Sequence, residues 1–480
     1  MPKRNVILLV VICLACAAAY VAREQSAAGR RFGEVLSVIQ SSYLDRVDGE
    51  ELLDAAVDAA MSRLDEHSAF IRGDGRADLE AVLDQSFGGV GLELSIDEAS
   101  GEPVVASPVV DSPAWRAGLR FGDRIEAIDG ERTSGLSLGD IVGRLRGKPG
   151  ESVVVRVASR DDRAVPTLDP AAEAPAAITR RDVTLVRELI KTESVLGDRR
   201  LPNGAWDWMI EGVPGVAYAR LTAFGERTAE ELAAAVDAIV AEGDVRAMVL
   251  DLRGNPGGLL TAAVEVCDLF LEEGVIVQTR GRPAIGTGDP AAILEARRAT
   301  SGQRLAGVPM VVLVDGLTAS AAEIVAACLQ DAGRATIVGS RTFGKGTVQS
   351  ILPLSDDRGL IKLTTSEYLR PSRANIHRRA GDGDDADWGV SPDAGFELTP
   401  TAESYARWTT WRRARDAAGG VPFTGGRAAP MALPCEIDPV LALGIREFSA
   451  TAPPGRDSDP DLGGEEETSR DHDDAPRSDA

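Results

Sequence analysis

Residues 315–349, DGLTASAAEIVAACLQDAGRATIVGSRTFGKGTVQ, hold a serine and a lysine in positions suited to chemistry. Ser320 opens a run with Ile324, Val325, Cys328 and Leu329 at helical spacing. Lys345 stands between Gly344 and Gly346 in the loop Arg341-Thr-Phe-Gly-Lys-Gly346. A serine hydroxyl is a weak nucleophile until a neighbouring base takes its proton. A lysine amine serves as that base once burial lowers its pKa toward neutrality. Histidine, the commoner base, is scarce: His67, His377 and His472 are the whole supply, and none lies in this block. Acyl transfer by a Ser-Lys pair is the chemistry these residue types allow, with the flanking glycines bringing Lys345 close. A plainer reading stands beside it. Ser320-Ala-Ala-Glu323 has the spacing of a capping box, and a lysine between glycines is commonly a solvated surface residue.

The elements around the pair decide whether the two meet. Residues 308–314 are continuously apolar and predict a buried strand; residues 335–338 predict a second. The unit is strand, helix, strand. In a parallel sheet, Ser320 and Lys345 would then lie outside the carboxyl ends of the strands, where open α/β sheets place ligands. Upstream, residues 247–252 predict another buried strand, followed by Arg253-Gly-Asn-Pro-Gly-Gly258 and a helix through Leu271. Such a loop can cradle phosphate, but the G-x-G-x-x-G spacing is absent.

Taken in order, Thr-Ala-Ser-Ala-Ala-Glu-Ile, Gly-Arg-Ala and Thr-Phe-Gly-Lys-Gly-Thr-Val-Gln resemble the catalytic block of the carboxy-terminal processing (tail-specific) serine proteases, peptidase family S41. The family's usual Ser-Ala-Ser-Glu-Ile reads Ser-Ala-Ala-Glu-Ile here. The resemblance implies that Ser320 is the nucleophile, Lys345 the general base and Gln349 the residue that positions the lysine. It also implies an oxyanion hole in the Arg253–Gly258 loop, from the N–H of Gly257 or Gly258, joined by the N–H of Ala321. Donors aimed at a developing oxyanion are a main source of rate in acyl transfer.

The resemblance extends over roughly residues 30–400. Residues 30–84 read as helices and end in Leu64-Asp-Glu-His-Ser68, similar to a family Leu-Asp-Pro-His-Ser with Glu66 in place of the proline; His67 reads as a capping or packing residue. Residues 87–190 resemble a PDZ domain. Its opening, Phe87-Gly-Gly-Val-Gly-Leu-Glu-Leu94, would receive a peptide C-terminus, with Gly88, Gly89, Val90, Gly91 and Leu92 as the binding residues. Glycine-rich backbone can aim N–H groups at a carboxylate while a strand edge adds the peptide by β-augmentation. The implied fold class is multidomain α/β: a ClpP/crotonase-like α/β protease core with an inserted PDZ domain and an N-terminal helical segment.

The expected layout is a signal peptide or signal anchor over 1–29, helices over 30–86, the PDZ domain over 87–190 and the core over 191–400. Helices over 401–450 follow, with Trp408, Trp411 and Arg412 on a packing face. An acidic disordered tail over 451–480 ends the chain. Two charged insertions, 161–177 and 373–387, have no assigned role. Lys3 and Arg4 before an apolar run place the bulk of the chain outside the cytoplasm, periplasmic or secreted, and on the membrane if the segment is uncleaved. The net charge of −23 argues against nucleic-acid binding. Cys267 and Cys328 fall on apolar helix faces and read as free thiols; no Cys or His cluster suggests a metal, and no cofactor is expected. The expected partners are protein or peptide substrates with free C-termini, and an activating protein. Two other readings remain open at this point, an inactive PDZ scaffold and a ligand-binding protein on the same framework.

Overall fold

The computed structural model describes residues 27–73, 75, 84–97, 100–160, 178–281, 293–300, 302–354, 359–383, 385–416 and 432–451. The apolar segment up to residue 26, the 161–177 insertion and the tail from 452 onward lie outside the described residues.

The centre is a five-stranded sheet. Val195–Leu196 pairs antiparallel with Val216–Leu221, and Ala247–Asp251, Met310–Val314 and Thr336–Gly339 follow in parallel. Ala247–Asp251 and Met310–Val314 are buried along their whole length. Apart from Asp251 at the end of the first, their apolar composition suits strands covered on both faces. Alternate residues serve the two faces. Met248, Leu250 and Val312 pack with the helices Thr228–Glu242, Leu260–Asp268 and Ala321–Asp331. Val249, Val311 and Leu313 pack with Val440 and Leu441 of the helix Pro439–Thr451. Cys267 and Cys328 are buried free thiols between two of the helices.

A second sheet stands beside the first, in the order Ala69–Arg72, Gly359–Leu369, Val275–Gly281, Ile293–Arg298, with Thr347–Pro353 also pairing with Gly359–Leu369. Here the structure corrects one expectation. The segment 30–84 is helical over Ala27–Ser42 and Gly49–Met61, but Ala69–Arg72 is a strand that joins this sheet antiparallel, Ala69 opposite Lys362. Four residues carry too little periodicity to separate a strand from the end of a helix.

The third sheet has strands Leu92–Ile96, Pro103–Pro108, Arg124–Ile128, Glu131–Arg132, Ser152–Arg160 and Ile178–Val186. Leu92–Ile96 is an edge strand, and the helix Leu138–Leu145 lies against it. Ile141, Val153, Val155 and Val157 form its core with Val105 and Ile125, all at most 1 % exposed. Both chain crossings into this unit run through one ribbon, in which Ser86–Gly89 pairs antiparallel with Glu188–Lys191. Below the ribbon, Arg227 donates to the Gln85 side chain and to the Gln85 and Thr192 carbonyls.

Candidate active site

Ser320 sits between the strand Met310–Val314 and the helix Ala321–Asp331, with φ 57° and ψ −117°. A positive φ at a non-glycine residue is strained and needs outside support. The support comes from the turn before it. Asp315 Oδ1 accepts from Gly254 N at 2.9 Å and from Leu317 N and Thr318 N at 3.0 Å each. Thr318 Oγ1 donates to the Leu252 carbonyl at 2.9 Å, and Ala319 N to the Asn255 carbonyl at 3.0 Å. The serine turn is thereby fastened to the Arg253–Gly258 loop.

The capping reading of this helix start is half right. Glu323 Oε2 accepts from Ser320 N at 2.8 Å, as a capping partner would. The Glu323 N–H, however, goes to the Ser320 carbonyl at 2.9 Å, and the Ser320 hydroxyl makes no cap hydrogen bond. The hydroxyl faces Tyr368 instead. Burial pushes the Tyr368 phenol up, and the Ser320 hydroxyl partly opposes that.

Glu323 also reaches the lysine loop. It is fully buried, and its carboxylate accepts from Lys345 N at 2.8 Å, Gly344 N at 2.7 Å and Thr342 Oγ1 at 2.5 Å. Burial pushes its carboxyl up against these hydrogen bonds. Ser320 N and Lys345 N donate to the same oxygen, so the two main chains are at most the sum of two hydrogen bonds apart. The resemblance pointed to Ser320 and Lys345; the residue that joins them was visible only as the fourth letter of a cap.

Burial and the nearby Lys362 lower the Lys345 pKa, against the pull of Glu323, Asp65 and Glu66. Among the described residues, Lys345 Nζ makes no hydrogen bond or ion pair, so the Ser320–Lys345 and Lys345–Gln349 contacts are not closed in this conformation. His67 and His377 both lie near the lysine loop. His67 N caps onto Asp65 at 2.8 Å, and burial followed by the Lys345 charge depresses its ring. His377 packs against Gly346; its Nδ1 is buried without a partner among the described residues.

The two candidate oxyanion glycines differ. Gly257 N donates to Asn255 Oδ1 at 2.8 Å. Gly258 N and Ala321 N have no main-chain acceptor among the described residues. Gly257 has φ 96°, and a Cβ there would lie 2.8 Å from Ser320 Cβ and 2.9 Å from Ala321 N. Only glycine lets the loop pass this close to the serine.

At the entrance to the third sheet, Gly88 and Gly89 pair with Leu189 and Glu188 in the ribbon. The carbonyls of Val90 and Gly91 accept from Ala114 N and Val109 N, at 3.0 Å each. Their N–H groups have no acceptor among the described residues, and Leu92 begins the free edge strand. Buried N–H groups of this kind are rare without a purpose. Among the described residues, no group of three or more His, Cys, Asp or Glu is placed to hold a metal, and no helix is long and apolar enough to cross a membrane.

The serine turn and the lysine loop stand on an α/β sheet, and comparison with known proteins gives the class. The peptidase family S41 model matches residues 215–395, and a PDZ domain model matches residues 104–159. A carboxy-terminal-processing protease of Bartonella bacilliformis is 33% identical over 378 residues, 78% of this chain and 76% of its own. A carboxyl-terminal-processing protease of Synechocystis sp. is 33% identical over 345 residues, covering 71% of this chain and 72% of its own. The solved structure of a photosystem II D1 C-terminal processing protease aligns over 85% of this chain and all of its own, with 25% identity and a TM-score of 0.41. The chain belongs to peptidase family S41, as a serine-type peptidase of multidomain α/β fold that carries a PDZ domain.

Proposed function

We propose that the protein is an endopeptidase in which Ser320 attacks and Lys345 is the general base, on substrates delivered C-terminus first by the PDZ domain. The observation that carries this reading is the shared Glu323 oxygen, which holds the Ser320 and Lys345 main chains together while leaving the serine hydroxyl uncapped.

In the reaction, Lys345 Nζ takes the Ser320 proton as Oγ bonds to the scissile carbonyl carbon. The carbonyl oxygen gains the negative charge and meets the N–H groups of Gly258 and Ala321. Gly257 N, already held by Asn255, shapes that loop. The tetrahedral carbon then expels the amine, which takes the proton from Lys345. Water, deprotonated by Lys345, attacks the acyl-enzyme, and the departing Ser320 oxygen takes that proton back from Lys345. Gln349 steadies the lysine throughout. The lowered Lys345 pKa favours the neutral amine this cycle needs.

At the PDZ unit, the Val90 and Gly91 N–H groups meet the substrate carboxylate, and the edge strand from Leu92 pairs with its last residues. Gly88 and Gly89 hold the ribbon rather than the ligand. Closing the open lysine contacts is a conformational step that peptide binding, or an activating partner, drives. The apolar stretch at residues 6–21 exports the chain as a signal peptide or holds it at the membrane as an anchor, so the work is extracytoplasmic.

The test is cleavage of an unfolded substrate with an apolar C-terminus, beside Ser320→Ala and Lys345→Ala, with a fluorophosphonate probe on all three. Cleavage and labelling by the parent alone are expected. Cleavage by Ser320→Ala at the parental rate sinks the reading.

A further inference from the structure

Gln349 can turn either end of its amide toward Lys345, and only the oxygen end accepts an N–H. Its surroundings choose the end. Gln349 Nε2 donates to Thr347 Oγ1 at 3.0 Å and to Thr364 Oγ1 at 3.2 Å. Both N–H arms are thus engaged, and Oε1 is the end left over. Thr364 can accept from Gln349 because its own proton goes elsewhere, to Asp65 Oδ1 at 3.3 Å. Asp65 is fixed in turn by His67 N and Ser68 N at 2.8 Å each and by Ser68 Oγ at 3.1 Å. Ser68 Oγ accepts from Thr364 N at 3.1 Å, which closes the link on itself.

A β-bulge selects the threonine. Val348 lies opposite Ser366, but Gln349 lies opposite Thr364, and Thr365 is skipped. Bulges re-aim side chains in this way. Thr365 bonds Ser350 at 2.7 Å instead. Without the irregularity, Thr365 would stand opposite Gln349, and Asp65 would have no path to it. The charge of Asp65 also bears on Lys345, so the chain of contacts ends beside the lysine it serves.

We propose that Asp65 is a positioning residue of the active site, acting through Thr364 to hold the Gln349 amide with Oε1 toward Lys345. The proposal rests on the reading of Lys345 as general base. It makes the N-terminal segment, which reads as a helical preface, a working wall of the site. A carboxylate is required because only an obligate acceptor forces Thr364 to donate to it and accept from Gln349.

The experiment uses the full chain with Thr364→Val, Thr364→Ser, Asp65→Asn and Ser320→Ala, a fluorophosphonate probe and a peptide substrate. The first comparison is parent against Ser320→Ala. If the probe labels both equally, the general-base reading falls and this inference with it. Given labelling at Ser320 alone, Thr364→Val is expected to lower kcat by ~10- to 100-fold, with KM within about twofold. The acidic limb of its kcat/KM profile should move to lower pH by about half a unit, because Lys345 loses an acceptor that favours its charged form. Thr364→Ser should restore both. A Thr364→Val enzyme with parental kcat and limb overturns the proposal; so does a Thr364→Ser enzyme as impaired as the valine variant. Should Thr364→Val fail to fold, Asp65→Asn decides. The same displaced limb supports the link, and a parental limb overturns it.

Discussion

Glu323 answers for two loops with one carboxylate. It accepts from Ser320 N, Lys345 N, Gly344 N and Thr342 Oγ1. Glu323→Gln keeps the shape but replaces one oxygen by a donor that faces donors. Leaving buried N–H groups unpaired costs about 2–3 kcal/mol. If that cost falls on the site rather than the fold, kcat/KM drops about 100-fold. Steady-state kinetics beside a thermal melt separate the two shares, and parental kinetics would contradict the bridging role. Lys345 yields a second expectation at this scale. Its folded pKa lies below the ordinary lysine value, so between those two values the unfolded chain binds more protons. Stability therefore rises with pH across that window. Lys345→Met should raise the Tm near neutral pH, and the gain should shrink toward about pH 10.5. Melts at several pH values read this directly; a gain that grows with pH would contradict it.

At the scale of elements, the 373–387 insertion touches the candidate site through His377. It packs on the lysine loop: a Cβ at Gly346 would lie 2.4 Å from His377 N and 2.8 Å from His377 Cα. Gly346→Ala must push the loop or the insertion aside. We expect a fall of at least about tenfold in fluorophosphonate labelling. Gly383→Ala, in the same insertion but with nothing within 4 Å of its Cβ, should label like the parent. Equal labelling by the two variants would show that the packing does not matter. This contact explains the glycine better than the loop freedom inferred from Gly344 and Gly346 alone. The central strands were legible because Met310–Val314 and residues 247–250 are short continuous apolar runs, as strands covered on both faces are. The order of the serine and lysine blocks was legible through resemblance. Thr364 was not. It and Thr365 are the same residue type, and a bulge that no local pattern announces decides which one faces Gln349. Asp65 was hidden for a different reason, since its partner lies at the far end of the chain. His67 read as a capping residue, but its cap is made by its own N–H, and its ring lies in reach of Lys345.

Across the whole molecule, buried charge ties the C-terminal helices to the active-site loop. Arg253 is paired with Asp251 at 2.6 Å and with Asp438 at 2.7 Å, and its guanidinium stacks 4.3 Å above the Trp408 ring. On the same side Arg415 pairs with Asp198 and with Glu211, the latter at 2.8 Å. The packing face expected at Trp408 and Arg412 is therefore real and largely ionic. Asp438→Ala removes one of two carboxylates from a buried guanidinium, a change that costs about 3–5 kcal/mol. A large drop in the denaturation midpoint is expected, with residual activity falling in step with the folded fraction. An unchanged midpoint would mean that Asp251 alone neutralises Arg253.

The pairing of Ala69–Arg72 with Gly359–Lys362 sets a timetable for biosynthesis. The ribosome makes the first strand early and its neighbour near the end. The PDZ unit, whose contacts are local and which begins and ends at one ribbon, is complete long before. Long-range pairing of this kind forms slowly. A nascent or truncated chain thus displays a finished PDZ unit while Asp65 still waits for Thr364. The strand that carries Thr364 closes this sheet after the PDZ unit is made, so the first and last parts of the wall meet only late in synthesis.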